Sequence, residues 1–409
     1  MLEKNRIWQK DCLEALKEVP SNVIDCCVTD PPYGIKFMGK KWDHNVPPVE
    51  VWKQILRVLK PGAHVLAACA TRTQHRMAIN IEDAGFEIRD VITWHYGTGF
   101  PKSMNIQKEL DKKYSSDYKP SRDNRQGFSR INQGKSPSVN RPQVNGPIRH
   151  QQDQISHNDP KTEPGAKWQG WGTVLKPATE FWTLARKPFE GAKTAENMTI
   201  YGVGGLNIDA SRIHSFDAPG GAYIVKRLKS GATLNKTGGN WRPAGKNAIF
   251  YKGEMKPGRF PANLILDEYA AELLDEQSGT LESGQPSGIK AGKEKGIFGK
   301  YAGGQPVTGY GDVGGASRFF YVAKADAAER GHANSHPTVK PLALMTYLIK
   351  LICPIEQGRI VLDPFAGSGT TCIAAFQLHL DFLAYEIDPE NAKIAENRLR
   401  QSMGLFYGV

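Results

Sequence analysis

The stretch Val361-Leu362-Asp363-Pro364-Phe365-Ala366-Gly367-Ser368-Gly369-Thr370-Thr371 decides how the chain is read. It opens as a short apolar strand, passes through a glycine-containing loop and enters a helix expected over Thr370 to Leu380. Gly367 and Gly369 let a ligand approach the backbone closely where that helix begins. A phosphate-binding loop needs a Lys after its last glycine, and none follows here. A dinucleotide fingerprint needs a third glycine where Cys372 stands. The next strand, expected over Phe382 to Ile387, carries Glu386 at its end with Asp388 just beyond, and a carboxylate there accepts from ribose hydroxyls. These features suit a ligand with a ribose and no pyrophosphate.

The same idiom recurs at the other end of the chain. Asp11 to Lys17 starts a short helix, and Val23-Ile24-Asp25-Cys26-Cys27-Val28 is a near-continuous apolar run, as in a strand covered on both faces. Val49 to Leu59 has helical spacing and stops at Pro61-Gly62. A strand over His64 to Ala70, a helix near Gln74 to Asp83 and a strand near Ile88 to His95 follow. Toward the C-terminus, Pro341 to Cys353 and Pro389 to Arg400 read as helices and Arg359 to Leu362 as a strand. Strands alternating with helices of this length predict an α/β fold with a doubly wound, mostly parallel sheet.

Directly after the 23–28 strand stands Asp30-Pro31-Pro32-Tyr33. Ligands of open α/β sheets bind outside the carboxyl ends of the strands, where this tetrapeptide lies. The two prolines fix the backbone and remove two donors. They leave the Asp30 carboxylate and the Pro31 carbonyl as acceptors beside an aromatic face, which suits a planar ring bearing an amino group.

Composition bounds the remainder. The 409 residues allow two to three domains, and 53 Lys and Arg against 42 Asp and Glu leave a net charge of +11, which favours a polyanionic partner. The longest apolar run, Val65 to Ala70, is far below the roughly 20 residues of a membrane span. The N-terminus lacks the apolar stretch of a secretory signal. Six cysteines without a C-x-x-C pair disfavour disulfide and zinc frameworks, and His44, His332 and His336 lack metal-ligand spacing. A cytoplasmic protein is expected, with no metal and no membrane contact. Between the α/β ends, residues 106–171 are polar and carry 12 Lys and Arg against 7 Asp and Glu, which reads as an insertion. Thr179 to Lys187 looks like a further strand of the main sheet. Residues 226–259 are strongly basic, with Trp241, Phe250 and Tyr251 interleaved and Tyr223 just before them. Pro261 to Leu266, with Gly205 to Asp209, suggests a small folded module. Phe37 to Asp43 reads as a flap following the Asp30 loop.

Asp30-Pro31-Pro32-Tyr33 and Phe365-x-Gly367-x-Gly369, with His336-Pro337-Thr338-Val339-Lys340-Pro341 upstream of the latter, resemble the pattern of bacterial and phage DNA amino-methyltransferases. Their order, catalytic motif first, is similar to the circularly permuted β class. The resemblance implies a Rossmann-like S-adenosylmethionine-dependent methyltransferase fold. It divides the chain into a first half at 1–105, the insertion at 106–171, a returning strand at 172–189, a target-recognition region at 190–318 and a second half at 319–409. It implies that Asp30, Pro31, Pro32 and Tyr33 act on a base flipped out of double-stranded DNA, with Tyr33 stacking on it. It assigns Asp11 to the cofactor adenine, Glu386 to the ribose, Asp363, Phe365, Gly367 and Gly369 to the pocket, and Thr338 and Lys340 to the methionine end. Lys10 stands where the family more often has Gly. Adenine N6 is the expected target, with cytosine N4 as the nearest alternative. RNA or protein methylation, or a catalytically dead DNA-binding protein, is a more distant reading. Homodimerisation and a separate restriction endonuclease are further implications of the resemblance.

Overall fold

The computed structural model describes residues 2–35, 43–97, 99, 103–115, 159–189, 191, 193–213, 222–228, 248–254, 258–282, 313–324 and 339–403, with 222–228 and 248–254 as backbone alone. The strands are β1 (Arg6–Gln9), β2 (Ile24–Thr29), β3 (Leu59–Ala70), β4 (Glu87–His95), β5 (Thr179–Arg186), β6 (Ala222–Leu228), β7 (Ala248–Glu254), β8 (Leu264–Asp267), β9 (Leu281–Glu282), β10 (Val313–Gly314), β11 (Tyr321–Ala323), β12 (Ile360–Asp363) and β13 (Asp381–Glu386). Nine of them form one sheet in the order β1-β13-β12-β2-β3-β5-β4-β8-β11. Every pairing in it is parallel except those of β5, which runs antiparallel to both β3 and β4. The C-terminal strands β12 and β13 lie between the N-terminal strands β1 and β2.

Period-2 alternation along the strands divides the core into two layers. Val28, Leu66, Ala68 and Val361 face the helices Leu342–Ile352, Thr370–Gln377 and Pro389–Met403. Cys27, Val65, Ala67 and Leu362 face the helices Cys12–Lys17, Val49–Val58 and Gln74–Asp83. Val51, Trp52, Ile55 and Val58 are buried on one stripe of the 49–58 helix, which is why that segment is helical and docks as it does. The result is a doubly wound, Rossmann-like α/β sheet.

Three features depart from the sequence reading. Arg6–Gln9 is a strand although only Ile7 is buried in it; as an edge strand it needs just one inward side chain. The 261–266 island does not form a separate module: β8 joins the main sheet between β4 and β11. There the Asn263 carbonyl accepts from Thr93 N–H and covers what would be an open edge of β4. Third, β3 begins at Leu59, and its register against β2 shifts between Ile24 and Cys26.

The chain forms two compact units, Met1–Gly97 with Thr179–Val409, and Thr98–Ala178. In the second, the helices Ile106–Tyr114 and Glu163–Lys167 meet around buried Asp111, which accepts from the Thr162 hydroxyl at 2.7 Å and from Lys161 N–H at 3.2 Å. Separate from the nine-stranded sheet, β6 and β7 pair as an antiparallel ribbon. Among the described residues no helix is long and apolar enough to cross a membrane.

Candidate active site

Parallel strands end at the same edge, so β2 and β12, which pair with Cys27 opposite Leu362, deliver Asp30 and Asp363 side by side. The antiparallel β5 presents its first residues at that same edge, because Glu180 stands opposite Ala70 of β3 and Trp94 of β4. Two groups of acids result.

Around Asp30, Oδ1 accepts the Tyr33 hydroxyl at 2.7 Å and Oδ2 accepts the Lys340 ammonium at 2.7 Å. Lys340 Nζ also lies 3.2 Å from Glu180 Oε2 and donates to the Tyr33 oxygen at 3.1 Å. The Tyr33 hydroxyl is 3.1 Å from Glu180 Oε2. Burial pulls the Lys340 ammonium toward neutrality, but Asp30 and Glu180 outweigh it, and the ammonium is held above its ordinary range. Glu180 is pushed up by burial against the opposing pull of Lys340. Burial, with Asp30 and Glu180 nearby, raises the Tyr33 phenol, so it stays protonated. The loop carrying Tyr33 is fixed by buried Asp43, whose Oδ1 accepts Tyr33 N–H at 2.7 Å and Gly34 N–H at 2.8 Å. Gly34 has φ +68°, and a Cβ there would come within 2.9 Å of Val46 N.

The second group holds its acids with backbone and hydroxyl donors. Asp363 Oδ1 accepts the Thr29 hydroxyl at 2.7 Å and Phe365 N–H at 3.2 Å, and burial pushes this carboxyl up to about 6. Glu386 Oε2 accepts Gly367 N–H and Oε1 accepts Asp388 N–H, both at 2.8 Å, and burial takes it up to about 6. Gly367 and Gly369 have φ of +53° and +79°. A Cβ on Gly369 would meet Ala395 Cβ at 3.1 Å and Ile7 Cδ1 at 3.3 Å. Behind the loop, buried Arg398 donates to the Ser368 carbonyl at 2.5 Å and to the Thr370 hydroxyl at 3.1 Å.

Most sequence-derived residues therefore converge on one edge. Pro31 is buried and Pro32 half-buried beside Asp30, and the Phe365 ring packs against the core face shared with Trp52. Lys340, expected at the methionine end of a cofactor, is bonded to Asp30. Tyr33, expected to stack on a base, has a ring packed against both core layers and a hydroxyl directed at Asp30. Asp11 lies just past β1, where its Oδ1 caps the 12–17 helix by accepting Leu13 N–H at 2.8 Å. Thr338, the 36–42 part of the flap and most of the basic 226–259 run lie outside the described residues. Sequence reasoning missed Glu180, Asp43, Thr29 and Arg398. For Glu180 a signal was present: an acid opening a strand next to His64–Ala70, if that strand runs antiparallel.

Comparison with known proteins gives the site its context. Residues 24–397 match the N6_N4_Mtase family, described as DNA methylase. Type II methyltransferase M.HindIII of Haemophilus influenzae is 53% identical over 64 residues, which is 16% of this chain and 20% of that protein. M2.DpnII, a Type II methyltransferase of Streptococcus pneumoniae, is 40% identical over 16% of this chain and 24% of its own length. DNA adenine methyltransferase YhdJ of Escherichia coli K12 is 43% identical over 16% of this chain and 21% of its own. Each match thus spans about a quarter or less of the relative's length. Among solved structures, the M1.HpyAVI–SAM complex aligns over 96% of this chain and 98% of its own, at 16% identity and a TM-score of 0.39. PvuII DNA methyltransferase (cytosine-N4-specific) aligns over 98% and 90%, at 12% identity and a TM-score of 0.41. On the family match, which covers 24–397 of its 409 residues, the chain belongs to the N6/N4 family of DNA methylases.

Proposed function

We propose that this protein transfers a methyl group from S-adenosylmethionine to the exocyclic N6 amine of adenine in double-stranded DNA. The observation that carries the reading is the Asp30 carboxylate at the end of β2, one strand from Asp363 and two from Glu386, with Lys340 and Tyr33 fixing its orientation. The donor set suits the cofactor. Glu386 spends one lone pair per oxygen on backbone N–H groups and keeps others for two vicinal hydroxyls. Asp363 offers a carboxylate at the adjacent strand end, and Gly367 and Gly369 leave the backbone bare at those two positions, with the Ser368 side chain buried against Arg398. When bound, S-adenosylmethionine supplies an electrophilic methyl group on a sulfonium.

Catalysis by the chain is then positioning and electrostatics. Asp30 accepts a hydrogen bond from the amine and turns the nitrogen lone pair toward the methyl carbon. The same carboxylate stabilises positive charge as it develops on that nitrogen. Lys340 and the Tyr33 hydroxyl hold Asp30 in one rotamer, so no reorganisation is needed at the moment of transfer. The net charge of +11 supports a polyanionic substrate, and a base must leave the duplex to reach a strand-end pocket. We assign target recognition to 190–318, supported by the β6–β7 ribbon within it.

Incubation with unmethylated DNA and labelled S-adenosylmethionine, followed by nucleoside mass spectrometry, tests the reading. N6-methyladenine is expected; N4-methylcytosine overturns the choice of base, and no label in DNA overturns the substrate. Asp30→Ala is expected to lower turnover at least ~1,000-fold while cofactor affinity stays within a few-fold. Retained turnover removes Asp30 from its role.

A further inference from the structure

Asp30 and Lys340 account for orienting an amine, but they leave unanswered where its proton goes. A primary amine that gains a methyl group must lose a proton to finish as a neutral secondary amine. Asp30 is placed to take it first, yet its two oxygens already accept the Lys340 ammonium and the Tyr33 hydroxyl, each at 2.7 Å. A second carboxylate lies one hydroxyl further on. The Tyr33 oxygen is 2.7 Å from Asp30 Oδ1 and 3.1 Å from Glu180 Oε2, so one hydroxyl bridges the two acids.

Resting on the function proposed above, we propose that Glu180 is the terminal acceptor of the target amine's proton, reached from Asp30 through the Tyr33 hydroxyl. The amine nitrogen forms its bond to the methyl carbon as the carbon–sulfur bond breaks, with that electron pair leaving on sulfur. The nitrogen, now positive, gives one proton to Asp30. The Tyr33 oxygen takes that proton from Asp30 while its own hydrogen passes to Glu180. Asp30 ends as a carboxylate, Tyr33 as a phenol and Glu180 as a neutral acid, and no other reactant is needed.

The surroundings favour a proton on Glu180. It is largely buried, with 17% of its side chain exposed, and burial favours its neutral form. The groups facing it are Lys340, Asp30 and Tyr33, with Tyr96 just past β4 and Cys69 near the end of β3. Of these Lys340 and the Tyr33 hydroxyl favour the carboxylate, and both are shared with Asp30, which lies closer to each. Nothing in the core requires an acid at position 180, since Ala70 and Trp94 flank it in the sheet.

Single-turnover methylation of DNA across pH 5 to 9 tests the relay in the wild type, Glu180→Gln and Tyr33→Phe. At cofactor concentrations that saturate the Asp363 and Glu386 site at every pH, the wild-type rate is expected to fall on the acid side as Glu180 protonates. Glu180→Gln is expected to lose that inflection and to slow about 100-fold at neutral pH, with cofactor and DNA affinities within about threefold. Tyr33→Phe, which removes no charge, is expected to lose the same inflection, so the test survives if Glu180→Gln fails to fold. Formate is expected to restore part of the rate to Glu180→Ala. A readout free of turnover is the titration of 13C-labelled glutamate carboxyls in the protein alone: one resonance titrating above the usual range is expected to vanish in Glu180→Gln. Slower variants that keep the wild-type pH profile and ignore formate overturn the relay and leave the methyltransferase reading intact. A wild-type protein that methylates no DNA overturns both.

Discussion

The two acid groups at the carboxyl edge of the sheet are neutralised in different ways. Glu386 is held by backbone N–H groups of Gly367 and Asp388, and Asp363 by Phe365 N–H and the Thr29 hydroxyl. Both are raised to about 6, because dipoles compensate burial only in part. Asp30 and Glu180 share a full positive charge, Lys340, which is itself 7% exposed. Dipoles spread over backbone and hydroxyl donors leave carboxylate oxygens open to a ligand; a buried ammonium fixes the orientation of the carboxylate it bonds. The difference matches the proposed division of labour, reversible cofactor binding at one group and fixed orientation at the other.

Lys340→Met breaks the comparison most severely. It leaves Asp30 and Glu180 close together with no cation between them, and removing one partner of a buried ion pair costs about 3–5 kcal/mol. The variant is expected to unfold at markedly lower denaturant concentration at pH 7.5, to recover part of the loss near pH 5 as one carboxyl protonates, and to have no measurable methyl transfer. Wild-type stability at pH 7.5 would show that the ammonium does not neutralise this group.

The same difference explains how much was legible in the sequence. Gly367 and Gly369 stand beside Asp363 in one strand–loop–helix, and Glu386 ends the next strand, so local periodicity placed that group. Asp30 was legible for the same reason, lying directly past an apolar strand. Lys340 and Glu180 reach Asp30 only through the sheet, from 310 residues away in the case of Lys340. Lys340 arrives just ahead of the Leu342–Ile352 helix, and Glu180 arrives because β5 runs antiparallel between β3 and β4, a pairing that no alternation of apolar residues encodes. Helices with a clear stripe, such as Val49–Val58, were legible almost to the residue. Strands with one inward side chain, such as β1, and strands defined by the neighbour they cover, such as β8, were not.

Asp43→Ala sharpens the comparison on the Lys340 side. It leaves Tyr33 N–H and Gly34 N–H without their acceptor, and an orphaned buried donor costs roughly 1–3 kcal/mol. Stability is expected to fall within that range, and turnover to fall with it as Tyr33 loses its fixed place. Cofactor affinity, read by calorimetry, is expected to stay within about twofold, because the Asp363 and Glu386 group does not depend on Asp43. A matching loss of cofactor affinity would mean that the two groups are coupled through the Asp30 loop.

The smallest expected effect comes from Asp363→Asn, and its sign separates the two groups. The folded protein holds this carboxyl at about 6 against an ordinary value of 3.8. The native state therefore binds the proton more tightly than the unfolded chain, and stability from this group is fully present below about pH 4 and lost as pH rises through 6. At pH 7.5 the ionised carboxylate is a liability of roughly 3 kcal/mol. The amide keeps the shape and its oxygen can still accept from Thr29 and Phe365, while the loss of the Thr371 hydroxyl bond offsets part of the gain. Asp363→Asn is therefore expected to be modestly more stable than the wild type at pH 7.5 and no more stable than it at pH 4. Chemical denaturation at the two pH values measures this directly. The gain in stability is expected alongside weakened cofactor binding, the pattern of a group kept charged for a ligand rather than for the fold. A variant less stable at both pH values would show that the Thr29 and Phe365 hydrogen bonds need a full carboxylate. The dipole-held group would then depend on its charge as strongly as the group around Lys340 does.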